Sequence, residues 1–215
     1  MASASCVLGF APHSGWAAVV MLGGTGDAPR LLARERIEMA EAGVKGSKQP
    51  YHEVEGLALP EARRRLAHLE ASAGRLAGNA LRALTASASS AGAEVRAAGI
   101  LDASGRSGAS LEAILSSHAL IHAADGNHFR TALAQQCEAL GLTVTRIPQR
   151  ELAARAQGAL GKTPQQLAAT VAALGQGLGA PWGADQKAAT LLAWMLLASG
   201  AEAFAGRRLA AAKGR

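Results

Sequence analysis

The sequence predicts an α/β domain: a mixed sheet of five or six strands, an antiparallel β-meander followed by parallel βα units, with helices on both faces. Two features of the pattern predict it. Three short β-like runs open the chain, joined by connections short enough for hairpins. After residue 85 strands alternate with helical stretches, which demands parallel pairing through crossovers. Composition is the third. The 215 residues are 49% hydrophobic and 18% charged, enough apolar surface for one core, yet only 3% are aromatic. That core must be assembled from small aliphatic side chains on closely packed elements.

The elements follow in order. Residues 5–10 (SCVLGF) and 16–22 (WAAVVML) read as strands around a turn at PHSG. GGTGDAP (23–29) is a second turn. Residues 30–39 then alternate, with Leu32, Arg34, Arg36 and Glu38 on the wetter side. Residues 43–59 are irregular. Pro60 suits a first helical turn, and residues 61–85 carry Ala62, Leu66, Leu69, Ala73, Leu76, Ala80 and Leu84 at helical spacing beneath an arginine-decorated face. SASSAG (87–92) stops that helix. Residues 94–101 form a strand, 102–110 a Gly/Ser loop and 111–117 a short helix. The run 118–124 (HALIHAA) reads as a strand, and 127–140 as a helix that Gly141 caps. Residues 142–147 are a β-branched strand. Helices follow at 149–160, 165–174 and, after the Gly-rich loop 175–183, at 184–199.

Residues 1–200 are expected to form a single domain and 201–215 a basic tail. Lys and Arg number 22 against 16 Asp and Glu, a net charge of +6, which excludes an acidic solvating protein and permits an anionic partner such as nucleic acid. Two cysteines, Cys6 and Cys137, cannot make a disulfide framework and read as small buried residues in a reducing compartment. The N-terminus lacks the pattern of a signal peptide, and the apolar run 188–201 has only 14 residues, short of a bilayer span. A cytoplasmic location and no membrane partner are expected. The apolar face of the last helix, with Trp194, is expected to be buried on the sheet or across the two-fold interface of a homodimer.

The densest polar cluster is His118-x3-His122-x2-Asp125-x2-His128, followed by Arg130. On a helix, His118, His122 and Asp125 would lie near one face, a spacing resembling that of zinc-peptidase ligands, although Ala119 stands where those enzymes need a glutamate. On a strand turning at Gly126, His118, Leu120 and His122 share a face, and Asp125 ends the strand and caps the next helix. Capping and packing, a polar ligand pocket and a metal site are the three roles open to the cluster. In the irregular segment, Tyr51 packs over the sheet edge while His52 faces water, or the pair contacts a ligand. A ligand would bind at the carboxyl ends of the parallel strands, where crossover loops diverge. The expected ligand-binding residues are Arg106, His122, Asp125, His128 and Arg130. Asp125 would hold a cation or accept a donor, and the arginines would hold an anion.

The opening GFAPHSGWAAVVM resembles the first hairpin of bacterial Holliday-junction resolvases, members of the ribonuclease H-like superfamily. HAADGNHFRTALAQQCEALGLTVTRIPQREL is similar to their strand–helix–strand segment, and GADQKAATLLAWMLLA to their C-terminal helix. Together these touch about half the chain, mostly as element order. The resemblance implies a ribonuclease H-like fold. It also implies an aspartate on the first strand that binds magnesium, and Ala11 occupies that position. Two-metal phosphodiester chemistry needs several convergent carboxylates, and Asp125 and Asp185 are the metal candidates that remain. The expectation is a non-catalytic or degenerate bacterial binding domain for nucleic acid or protein. The alternative is a metal-dependent nuclease or phosphoesterase using magnesium.

Overall fold

A computed structural model describes residues 4–103 and 108–200. Arg106 and the tail 201–215 lie outside the described residues. Five strands form one sheet: β1 (Ala4–His13), β2 (Trp16–Gly24), β3 (Pro29–Glu38), β4 (Ala93–Asp102) and β5 (Thr143–Pro148). Their order is β3-β2-β1-β4-β5. β1, β2 and β3 pair antiparallel, whereas β4 and β5 run parallel to β1, the mixed topology that the change in connection length predicts. The helices are α1 (Pro50–Glu53), α2 (Leu59–Ser90), α3 (Leu111–Leu115), α4 (His118–Ala139), α5 (Leu152–Leu160), α6 (Pro164–Leu174) and α7 (Ala184–Ala198).

Alternation along the strands supplies both faces of the sheet. Cys6, Leu8 and Phe10 of β1 join Leu81, Leu84, Phe129 and Leu133 of α2 and α4 in one core. Val7 and Ala11 join Leu192, Trp194 and Leu196 of α7 in the other. Gly9 and Gly99 face each other in the β1–β4 register. A Cβ on Gly9 would stand 2.0 Å from the Ala189 carbonyl oxygen, and one on Gly99 would stand 2.6 Å from Leu192 Cγ. The paired glycines thus form the trough in which α7 lies. Trp194 is fully buried there, and its indole N–H donates to Gly26 O at 2.7 Å. The sheet itself takes up the apolar face of α7. Among the described residues no helix is long and apolar enough to cross a membrane.

One predicted strand is absent. Residues 118–124 belong to α4, a continuous helix through residue 139 that ends before Gly141, whose φ of +74° suits a left-handed C-terminal position. Asp125 therefore neither ends a strand nor caps a helix; it lies two turns inside α4. The helical stripe Ile121, Asp125, His128, Phe129 and Ala132 is buried, whereas a strand would have sent alternate members to opposite sides. The irregular segment contains the single turn α1, and α2 runs five residues past the predicted end at 85.

Candidate functional site

Helix α4 brings together most of the predicted residues, in two places. In its first half, His118 and His122 are one turn apart on an exposed face, with their Nε2 atoms 3.1 Å apart. Asp125 follows on the same stripe and is 3% exposed. Its partners come from α1. The Tyr51 N–H donates to Asp125 Oδ1 at 2.7 Å, and His52 Nδ1 lies 2.5 Å from Oδ2. A small satellite core fixes α1 in this position: Val54 is fully buried against Ala62 and Leu66, with Tyr51, Leu111 and Leu115 around them. The His52 ring sits edge-on to His118 and His122, at centroid distances of 5.4 and 4.5 Å. One ligand nitrogen from each of His52, His118 and His122 lies within 4.8 Å of the other two.

His128 is buried one turn beyond Asp125, packed edge-on against Tyr51 and Phe129. Burial pushes its imidazole below the usual histidine range, against the opposing pull of Asp125 and of a hydrogen bond with the Leu69 backbone. Its Nε2 has no hydrogen-bond partner among the described residues. His128 therefore packs the α2–α4 interface, set apart from the exposed face that holds His122.

The second place is the carboxyl end of β1 and β4. The Arg130 guanidinium donates to Leu101 O at 3.0 Å, to Pro12 O at 3.1 Å and to Gly126 O, joining the two strand ends to α4. Ala11, one residue before Pro12, is buried. Asp102 ends β4 and accepts two-pronged hydrogen bonds from Arg146, at 2.7 to 3.1 Å, and Arg146 also reaches Asn127 Oδ1. Asp185, in the first turn of α7, lies 2.9 Å from His13 Nε2. Asp125 and Asp185 thus have different partners, and neither belongs to the three-histidine group. Glu38, at the end of β3, pairs with Arg36.

Sequence reasoning did not single out Asp102 or Arg146 as site residues, and it offered His52 only within the Tyr51–His52 pair, which either packs and faces water or contacts a ligand. His52 stands 73 residues from Asp125, and nothing in its own neighbourhood announces the contact. A lone histidine next to the only tyrosine was the one available signal. Both cysteines are buried, and burial pushes the Cys6 thiol up to about 11 and that of Cys137 up to about 12, so neither offers a thiolate near neutral pH.

No family model matches the chain, and no curated protein matches it. A solved structure of Thermus thermophilus RuvC in complex with Holliday junction substrate is similar, with a TM-score of 0.50 and 13% identity over 95% of this chain and 96% of that one. A second Thermus thermophilus RuvC structure has a TM-score of 0.48 and 15% identity, covering 94% of this chain and 96% of its own. The likeness is one of fold. The mixed five-stranded sheet with helices on both faces is ribonuclease H-like, as the resemblance in the opening hairpin implies.

Proposed function

We propose that this chain is a degenerate, non-catalytic nucleic-acid-binding domain on a ribonuclease H-like scaffold. The observation that carries the reading is Arg130. Its guanidinium lies across the carboxyl ends of β1 and β4, bound to Pro12 O and Leu101 O. A fixed positive charge at the carboxyl ends of two parallel strands favours a phosphate and opposes a divalent cation. Magnesium, which the resemblance implies, does not fit this donor set. Ala11 offers a methyl group, Arg146 holds Asp102 in two-pronged fashion, and His13 engages Asp185. Hard oxygen donors in near-octahedral array are what that ion requires. The net charge of +6 is consistent with an anionic partner.

Three of the five Arg130 N–H groups go to backbone carbonyls, so its main contribution is to the local potential, and the further phosphate contacts are assigned to arginines that follow the strands in the chain. Arg106 follows β4 by four residues in the chain, and the exposed Arg150 follows β5 by two. The Thermus thermophilus protein of similar fold is described with Holliday junction substrate, so branched DNA is the first ligand class to test. Binding of a fluorescent four-way junction and of a single strand is measured at two salt concentrations. Wild type should bind, more weakly at the higher salt, and Arg106→Ala and Arg150→Ala should each reduce the slope of log K against log salt by about 1. Absence of binding by wild type to either DNA, or slopes identical in all three proteins, would refute the reading.

A further inference from the structure

We propose that His52, His118 and His122 form a binding site for a transition-metal dication, with zinc the best fit, at the junction of α1 and α4. The first observation is convergence. Three imidazoles from two helices present nitrogens within 4.8 Å of one another, and the Nε2 atoms of His118 and His122 are 3.1 Å apart. Donors arranged tetrahedrally around zinc at 2.0–2.1 Å stand about 3.3 Å apart, so that pair already has the edge length of such a site.

The second observation is the support behind His52. A metal-bound histidine uses one ring nitrogen for the ion and gives the other N–H to a carboxylate or carbonyl, which fixes its tautomer and raises its basicity. Asp125 is buried, its Oδ2 lies 2.5 Å from His52 Nδ1, and its Oδ1 is held by the Tyr51 N–H. With Nδ1–H donated to Asp125, Nε2 is the nitrogen that His52 has left for a metal. The carboxylate that anchors α1 to α4 thus also sets the orientation of the His52 ring beside the two exposed imidazoles.

The third observation is donor chemistry. Neutral imidazoles select zinc, copper or nickel over magnesium or calcium, which take oxygen ligands. The buried thiols of Cys6 and Cys137 offer no competing site. His118 and His122 are exposed, so three protein ligands leave a fourth position facing solvent, where water or an exogenous anion would complete the tetrahedron. The site would also tie α1 to the start of α4, elements that Asp125 and the Tyr51–His128 ring contact already join. This assignment is independent of the nucleic-acid reading, which concerns the carboxyl ends of the strands.

The test is calorimetric titration of tag-free, EDTA-treated full chain with zinc chloride, with cobalt used for its visible d–d spectrum. About one zinc should bind per chain, cobalt should give the intense bands of a tetrahedral site, and zinc should raise the thermal midpoint. His118→Ala and His122→Ala, both at exposed positions, should lose binding and the cobalt bands while keeping the apo midpoint. Asp125→Asn should weaken zinc by about 10–100-fold, because an amide that donates toward Nδ1 moves the proton to Nε2. His68→Ala, on the exposed face of α2, should bind as wild type does. Binding equal in wild type and His122→Ala, or none at roughly 100-fold metal excess, would overturn the assignment.

Discussion

Asp125 is the residue on which the packing of α1 against α4 turns. Both of its oxygens are engaged by one short segment, the Tyr51 backbone and the His52 ring. Asp125→Ala would leave the Tyr51 N–H without its acceptor and His52 Nδ1 without its hydrogen-bond partner. Hydrogen bonds to a charged group contribute about 1.5–3 kcal/mol each, and the segment can relax toward water, so a loss of about 2–3 kcal/mol is expected in urea unfolding. Removal of an exposed helix cap would cost only about 1 kcal/mol; a loss that small would argue against the buried contact. His128 supplies a pH signature. Its imidazole is held below the usual range by burial, so as pH falls the unfolded chain takes up the proton before the native state does. Stability should fall as pH drops below about 6.5 and continue falling until the folded group itself titrates. His128→Gln should flatten that slope relative to wild type; equal slopes would show that burial at this position is not felt.

The close approach of α7 to the sheet rests on Gly9 and Gly99. A Cβ at Gly9 meets a backbone carbonyl, which cannot rotate away as a side chain would, so Gly9→Ala must displace α7 or bend β1. Overpacking of this kind costs about 1–3 kcal/mol, and chemical denaturation should place Gly9→Ala in the upper part of that range or beyond it. Alanine at the exposed Gly43 is a poor control because its φ is +76°. Gly158 of α5, where an added Cβ would meet nothing within 4 Å, should instead gain stability from Gly→Ala. The β-meander and α2 were legible because turn residues and helical periodicity agree there with burial. The first half of α4 was not. Asp125 and His128 occupy its buried stripe, where apolar residues would announce a helix, and Gly126 sits between them. The polar side chains that make this segment chemically interesting are those that hide its period. The turn α1 was missed for a different reason: four residues are too few to show any period, and its position is set by a partner 73 residues away.

For the whole molecule, the order of short and long connections was enough to fix the sheet as antiparallel on one side and parallel on the other. The site was legible only in part. Ala11 stands where the resemblance implies an acid and is legible as such, whereas Arg130 meets Pro12 across 118 residues and Leu101 across 29, separations that no local pattern encodes. Of the predicted site residues, the structure puts Asp125 beside the histidine cluster, His128 in the α2–α4 interface, Arg130 at the strand ends and Asp185 beside His13. Among the described residues, the carboxyl end of this sheet carries the Asp102–Arg146 pair, the Asp185–His13 contact and the Arg130 guanidinium. The most direct test of that account is a single incubation of the full chain with a labelled four-way junction in magnesium. One half is run on a native gel and the other on a denaturing gel. The account predicts a retarded complex whose strands remain intact. Incised strands that disappear when magnesium is chelated would contradict it.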